Sequence, residues 1–460
     1  MKSQIKLPRA LLLSALLILS ALPASARQGA PEPKREQLLN GLKILFAPRP
    51  AGSEVLLKLR VHSGAAFDLA GKEGLMALLG DLMFDAQTRA YVTEELDGRL
   101  EVRVGYDSID VTLAGRASDF ERLMELMRNA FLNLQLTPEA VERARAERLR
   151  AVATSARTPA EVADAAAAAR LFGAYPYGRS TEGTPESLAR AQRPDLMLMR
   201  ERFLNPNNAT LVIAGDLDQR RVMRLLRQSL GPWRKGDRTI PATFRQPEAP
   251  DARALVINRP GASGVEVRLA ARGLARADRD YPYAQALAQV ALSRWLAAVP
   301  ELSSGAASAR HRAFREGGLF LMSATVPTPE LAARALAKGR EVLSALASSQ
   351  PPTAAEMSAG TAAAPAAQAQ GVEALIESWL DEQTYGLAAD SSAPVVLSAG
   401  EAQRVAARLF LHTPLAAVAV GDAERLRAEL ARAGGVEVFG EPAAQPAAAT
   451  TQPPQASPSP

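Results

Sequence analysis

Arg49-Pro50-Ala51-Gly52-Ser53-Glu54-Val55 returns as Arg259-Pro260-Gly261-Ala262-Ser263-Gly264-Val265, 210 residues later. The match runs on without a gap from Leu57-Lys58-Leu59 to Val267-Arg268-Leu269. A second pair lies 206 residues apart, Ala214-Gly215-Asp216 and Val420-Gly421-Asp422, each ending an apolar β-like run. Two nearly equal offsets predict a duplicated unit of about 200 residues, so the chain must fold as two halves on one plan.

Within the first half, Asn40-Gly41 is suited to a tight primed hairpin turn. Strands are predicted at Glu54–His62, Leu100–Val104, Ser108–Ala114 and Ala209–Ala214 from period-two alternation or continuous apolar runs. Helices are predicted at Lys72–Phe84, Phe120–Leu134, Pro138–Ser155, Ala160–Leu171 and Arg220–Leu230, with Thr137 as the N-cap before Pro138. Strands mixed with helices and hairpins give an α+β fold with a mixed or antiparallel sheet in each half. The boundaries read as residues 37–235 and 254–440, joined by a Pro-rich linker at 236–253. Residues 441–460 are mostly Ala, Pro, Gln, Thr and Ser, a composition expected to stay disordered.

Residues 1–26 have the layout of a secretory signal. Lys2, Lys6 and Arg9 form the basic start, Ala10–Leu22 the apolar core, and Ala24-Ser25-Ala26 the cleavage site. The apolar run falls short of the roughly 20 residues a membrane span needs, so a soluble, exported (periplasmic) protein is expected. With no Cys there is neither a lipid-anchor thiol nor a disulfide framework. The net charge is only +5, and charges alternate along helical stretches such as Arg143-Ala144-Arg145-Ala146-Glu147-Arg148, the pattern of a solvated helix surface. Aromatics make up 5% and are scattered, which excludes a nucleic-acid module built on stacking and a basic stripe.

Several motifs in chain order resemble the pitrilysin/insulinase family of zinc metallopeptidases over residues 37–435. They are Asn40-Gly41-Leu42-Lys43, Gly64-Ala65-Ala66-Phe67-Asp68, Gly71-Lys72-Glu73-Gly74-Leu75, Tyr175-Pro176-Tyr177-Gly178, and the run from Phe203 to Asp216. The resemblance implies two homologous domains of the processing-peptidase (LuxS-like metallohydrolase) fold. It also sets the family's H-x-x-E-H motif on the helix after Gly74, where Ala77 and Asp81 replace the two histidines and Gly80 the glutamate. Two imidazoles four residues apart would hold Zn²⁺, and the carboxylate would activate water; all three are absent. The family's third ligand, a downstream glutamate, falls at Ala151, with Glu147 nearby. Its Arg/Tyr grip on bound peptide falls at Pro300 and among Ala306, Ala307 and Ser308, with Arg310 or Arg312 as the available substitutes. No metal and no cofactor is therefore expected, and His62, His311 and His412 share no helical spacing. A mid-helix glycine costs about 1 kcal/mol relative to Ala, so Gly80 reads either as drift at an unused position, the favoured reading, or as close packing where a metal pocket would be.

No G-x-S-x-G elbow, phosphate loop or Cys nucleophile offers another chemistry; Asp216 and Asp422 read as caps of the next turn or helix. The expectation is a catalytically silent homologue that pairs with a zinc-bearing paralogous subunit around an extended peptide. The peptide would add to the sheet edge at Leu100, Glu101, Val102, Arg103 and Val104, because β-addition uses backbone groups. The alternatives are a stand-alone binding or assembly protein with no part in proteolysis and, less favoured, a peptidase with an atypical metal site.

Overall fold

The computed structural model describes residues 34–439 apart from 51, 156, 238–243, 304, 365–370, 388–396 and 433. The signal-like segment and the 441–460 tail lie outside the described residues. Two six-stranded sheets carry the fold. The first has the order β1-β2-β6-β3-β5-β4, built from Lys34–Gln37 (β1), Lys43–Pro48 (β2), Val55–Val61 (β3), Arg99–Val104 (β4), Ile109–Gly115 (β5) and Ala209–Gly215 (β6). The second has the order β12-β7-β11-β8-β10-β9, from Ala254–Asn258 (β7), Val265–Gly273 (β8), Ala307–Ala313 (β9), Gly318–Val326 (β10), Ala416–Gly421 (β11) and Val436–Phe439 (β12). The repeated Arg-Pro segments lead into β3 and β8, and the repeated Gly-Asp pairs close β6 and β11. The two plans differ at one edge. There β1 pairs antiparallel with β2, whereas β12, from the other end of its half, runs parallel to β7.

Helices of the first half are Leu75–Leu82 (α1), Ala86–Ala90 (α2), Phe120–Leu132 (α3), Pro138–Thr154 (α4), Pro159–Phe172 (α5), Pro185–Ala189 (α6), Arg193–Phe203 (α7) and Gln219–Ser229 (α8). Those of the second are Tyr281–Ala298 (α9), Pro329–Ala347 (α10), Ala354–Ala363 (α11), Gly371–Tyr385 (α12), Ala399–Phe410 (α13) and Ala423–Ala431 (α14). Each half buries the inner face of its sheet under its own helices. Leu57, Leu59, Val111 and Ile213 meet Leu78, Leu79, Met124 and Leu226 in one core; Val267, Leu269 and Phe320 meet Leu287, Trp295 and Leu343 in the other.

The outer faces are covered reciprocally. Helix α12 of the second half lies on the first sheet, where Ile376, Trp379 and Leu380 pack on Leu45, Leu56, Val212 and Ala214. Helix α5 of the first half lies on the second sheet, where its small Ala163 and Ala167 and its Leu171 meet Ala270, Leu321 and Val418. Charges lock both contacts. Lys58 pairs with Glu377, and Arg268, 210 residues further on, pairs with Asp164. Arg60 reaches Asp110 at 2.6 Å, Glu377 at 2.7 Å and Asp381 at 2.9 Å. Burial opposes the Arg60 charge, but these carboxylates hold its pKa above the ordinary value. With both faces covered, β6 and β11 are buried at every residue, which is why they read as continuous apolar runs.

The β4–β5 and β9–β10 turns also meet. The rings of Tyr106 and Phe314 stand 5.2 Å apart, and Asp107 accepts the Arg315 amide at 2.9 Å. Tyr177 of the Tyr-Pro-Tyr-Gly motif packs on Phe314 at 4.4 Å and its hydroxyl accepts the Glu316 amide. This motif is a plug between the halves.

Predicted elements match to within a few residues, with α1 starting at Leu75, three residues after the expected Lys72. Thr137 caps α4 through the Ala140 amide, and Asp422 caps α14. Asp218, and not Asp216, caps α8. The expected primed turn at Asn40-Gly41 is absent, since of the two only Gly41 has positive φ (94°). The Asn40 amide instead donates to the Leu230 and Trp233 carbonyls, so it is spent on anchoring the end of α8.

His62 sits across the joint, its ring 3.0 Å from Thr384 Oγ1 and 2.9 Å from Thr210 Oγ1. Burial, then Arg60, Lys43 and Arg315, lowers its pKa to about 3. A histidine neutral in the folded state gains protons first on unfolding, so its stability contribution is complete above about pH 6.5 and declines as pH falls from there toward 3. Asp68, pushed up to about 7 by burial, titrates with the opposite sign, so the test is a difference between variants. Between pH 7 and pH 5, urea unfolding of His62→Gln should lose about 2 kcal/mol less stability than the native chain.

Candidate functional site

The segment between β3 and α1 sets the position of the degenerate motif. Gly74 precedes α1 in the left-handed region (φ 94°), and a side chain there would come within 2.9 Å of the Glu182 carbonyl and Leu188 Cδ2. The buried Asp68 carboxylate accepts the Gly74 and Met76 amides at 2.7 and 2.9 Å, satisfying two orphan donors at the helix start. Its pKa rises despite those bonds because burial outweighs them. The Gly-rich lead of the motif therefore serves as the hinge and cap of α1.

Along α1, Ala77 is 1% exposed and Gly80 is buried. A Cβ at Gly80 would stand 3.2 Å from both Val102 Cγ1 and Val104 Cγ2 of β4. The edge strand's valines lie against the helix at Gly80, in keeping with the close-packing reading, the less favoured of the two.

Asp81, one turn after Ala77, is held by Arg148 of α4. Arg148 Nε reaches Asp81 Oδ2 at 2.6 Å and its second terminal nitrogen reaches Oδ1 at 2.7 Å, a bidentate pair. The remaining nitrogen donates to Glu182. Burial works against the Arg148 charge, yet the Asp81 hydrogen bond and both carboxylates raise its pKa. This arginine was the residue missed. In the sequence it belongs to an alternating-charge stretch that reads as solvated surface, but its side chain is only 15% exposed. The two candidates for a third ligand do not take part: Ala151 and Glu147 are both exposed. What α4 sends toward α1 is a cation, three residues before Ala151.

The other sequence candidates disperse. Leu100, Glu101, Val102, Arg103 and Val104 lie on β4, which ends the first sheet and pairs only with β5 among the described residues. Leu100, Val102 and Val104 lean on the core, and Arg103 is exposed. Arg310 pairs with Asp164, and Arg312 lies over the Phe314 ring. His62 and His311 are buried in different sheets, and His412 sits in a turn at φ 59°. Among the described residues no three His, Asp or Glu side chains are grouped so as to hold a metal.

The family profile described as Peptidase M16 inactive domain matches residues 190–362, spanning the passage from one half to the other. Over those residues the chain is similar to the M16, or pitrilysin/insulinase, family. A curated relative named as an uncharacterized zinc protease of Mycobacterium leprae is 25% identical over 203 residues, 43% of this chain and 46% of that protein. The chain thus spans about half the length of the curated relative it matches. Its fold is shared with a solved M16 inactive domain of Pseudomonas fluorescens (TM-score 0.72, 17% identity, 85% of this chain and 98% of that one). A protease of Helicobacter pylori has the same fold (TM-score 0.73, 16% identity, 85% and 99% covered). So does the periplasmic protease PqqL of Escherichia coli (TM-score 0.70, 14% identity), of which 86% of this chain covers 48%.

If Arg148 occupies the role of the inter-helix cation, histidines alone will not rebuild a zinc site. Ala77→His with Asp81→His leaves the guanidinium facing two imidazoles and should bind zinc weakly. Adding Arg148→Glu supplies a carboxylate from α4 and should tighten zinc binding at least tenfold, read by competition with a chromogenic chelator.

Proposed function

We propose that this chain is a zinc-free M16 homologue that serves as the non-catalytic half of a two-part exported peptidase, contributing chamber wall and a peptide-pairing edge. The observation that carries the reading is the Asp81–Arg148 pair. At the family's metal position it couples α1 to α4 through a guanidinium, which activates no water. Gly80 under Val102 and Val104 removes the general base by the same token. The reading assigns β4 the substrate role: an extended peptide would add to its open edge through backbone hydrogen bonds, with Glu101 and Arg103 beside it.

The need for a partner is supported by proportion. This chain corresponds in extent to about half of PqqL, and a solved piece titled the first half of that protease is covered to 93%. A lone half leaves a cleft open to water and gives no opposing wall to hold substrate in a reactive pose. Export is supported by the signal-like layout of residues 1–26 and by the periplasmic name of that neighbour. No described helix is long and apolar enough to cross a membrane.

Coexpression with a zinc-bearing M16 paralogue from the same host tests this. A stable complex on size exclusion is expected, together with peptide cleavage that disappears when this chain is omitted. A paralogue fully active alone, with no complex formed, would leave the stand-alone assembly role in its place.

A further inference from the structure

The segment from Phe244 to Asp251 crosses the surface as a strap pinned at both ends. The Phe244 ring packs on Phe67 and Tyr175, with centroids 5.7 and 5.8 Å away. Asp251 pairs with Arg253 at 2.7 Å and Arg170 at 3.3 Å, and between these anchors the Glu248 carbonyl accepts from Arg272. A slot of about 640 Å³ remains between strap and body, within the size range of binding pockets. Phe172, Tyr175 and Phe244 line it, with Arg179 and Arg245 alongside. Phe172 and Tyr175 are near-parallel (25°), while Tyr175 and Phe244 are near-perpendicular (80°). The Tyr175 hydroxyl has no partner among the described residues and is available to donate to a backbone carbonyl. Rings set at angles with a free donor between them are what extended proline-rich segments dock on.

The occupant is suggested by the chain itself. Residues 441–460 contain six prolines, at 442, 446, 453, 454, 458 and 460, and one charged side chain, Glu441. The strand that leads to this segment touches the slot: Glu437 of β12 pairs at 2.6 Å with Arg170, a slot-lining residue. From Glu437 to the end of β12 the chain advances about 7 Å. Twenty residues in polyproline II geometry extend about 60 Å, ample for a return to the slot. Glu441 also complements Arg179 and Arg245 in charge.

We propose that the slot is the docking site of the chain's own segment 441–460, bound as a polyproline II strand with prolines seated against the wall that Phe172, Tyr175 and Phe244 form. The segment leaves the second half and the slot is built from the first half and the linker, so docking fastens the linker across the joint.

A fluorescein-labelled peptide of residues 441–460 is titrated by anisotropy into the full chain and into a chain ending at Gly440, which retains both sheets and both cores. Saturable binding to the shortened chain is expected, and at least tenfold weaker binding to the full chain. In the full chain the tethered segment competes at an effective concentration on the order of millimolar. A peptide with its six prolines changed to Ala should not bind. Phe244→Ala should weaken binding at least tenfold in the shortened chain. Should that variant also lower the melting temperature, Arg245→Glu, at an exposed side chain, provides the second reading by repelling Glu441. Absent binding to the shortened chain, equal binding to both chains, or undiminished binding of the Ala peptide would each overturn the proposal.

Discussion

Each half of the molecule depends on a helix it does not own. Without α12 the first sheet would expose Lys58, Arg60 and a band of apolar residues, and without α5 the second would do the same around Arg268. The halves therefore fold as mutual lids. The charges beneath those lids matter for their geometry more than for net energy: desolvating an ion pair costs about what the pairing returns, while breaking one leaves a buried charge uncompensated. Arg60, with three carboxylates around it, penalises any rotation of α12 on the sheet. That rigidity holds the β4–β5 turn against Phe314 and Arg315, and so fixes where the open β4 edge lies relative to α1.

On that frame Asp81 is a paired carboxylate and Gly80 a close-packed position. A zinc site ties two helices through a dication shared among ligands on both. Here one carboxylate on α1 and one guanidinium on α4 make the tie, with Glu182 as the outer partner. The planar fork of Arg148 matches the Asp81 carboxylate, a fit that a lysine would not reproduce. A Cβ at Gly80 would stand 3.2 Å from Val102 and Val104, so helix and edge strand approach closely there. The Asp81–Arg148 pair ties α1 to α4 mechanically.

Much of this was legible in the sequence. The 210-residue repeat, the strand patterns and the Thr137 and Asp422 caps follow from local chemistry. What the sequence hid is long-range. Arg148 and Asp81 are 67 residues apart, and nothing near Arg148 distinguishes it from the exposed arginines around it. An aspartate in an otherwise apolar helix was the available signal, since such a carboxylate calls for a cation on the facing helix. The Ala-rich run that became α5 is helical by propensity, but its small residues take their meaning from the other half's sheet. Gly80 likewise makes sense only beside β4, and Asn40 spends its amide on the end of α8 instead of on its own turn.

The proposed zinc-free role requires a cation of the protein's own in the metal's place, and the zinc content of the purified native chain tests it most directly. After dialysis against trace zinc and removal of loosely bound metal, elemental analysis should find no stoichiometric zinc. One tightly held zinc per chain would contradict the account.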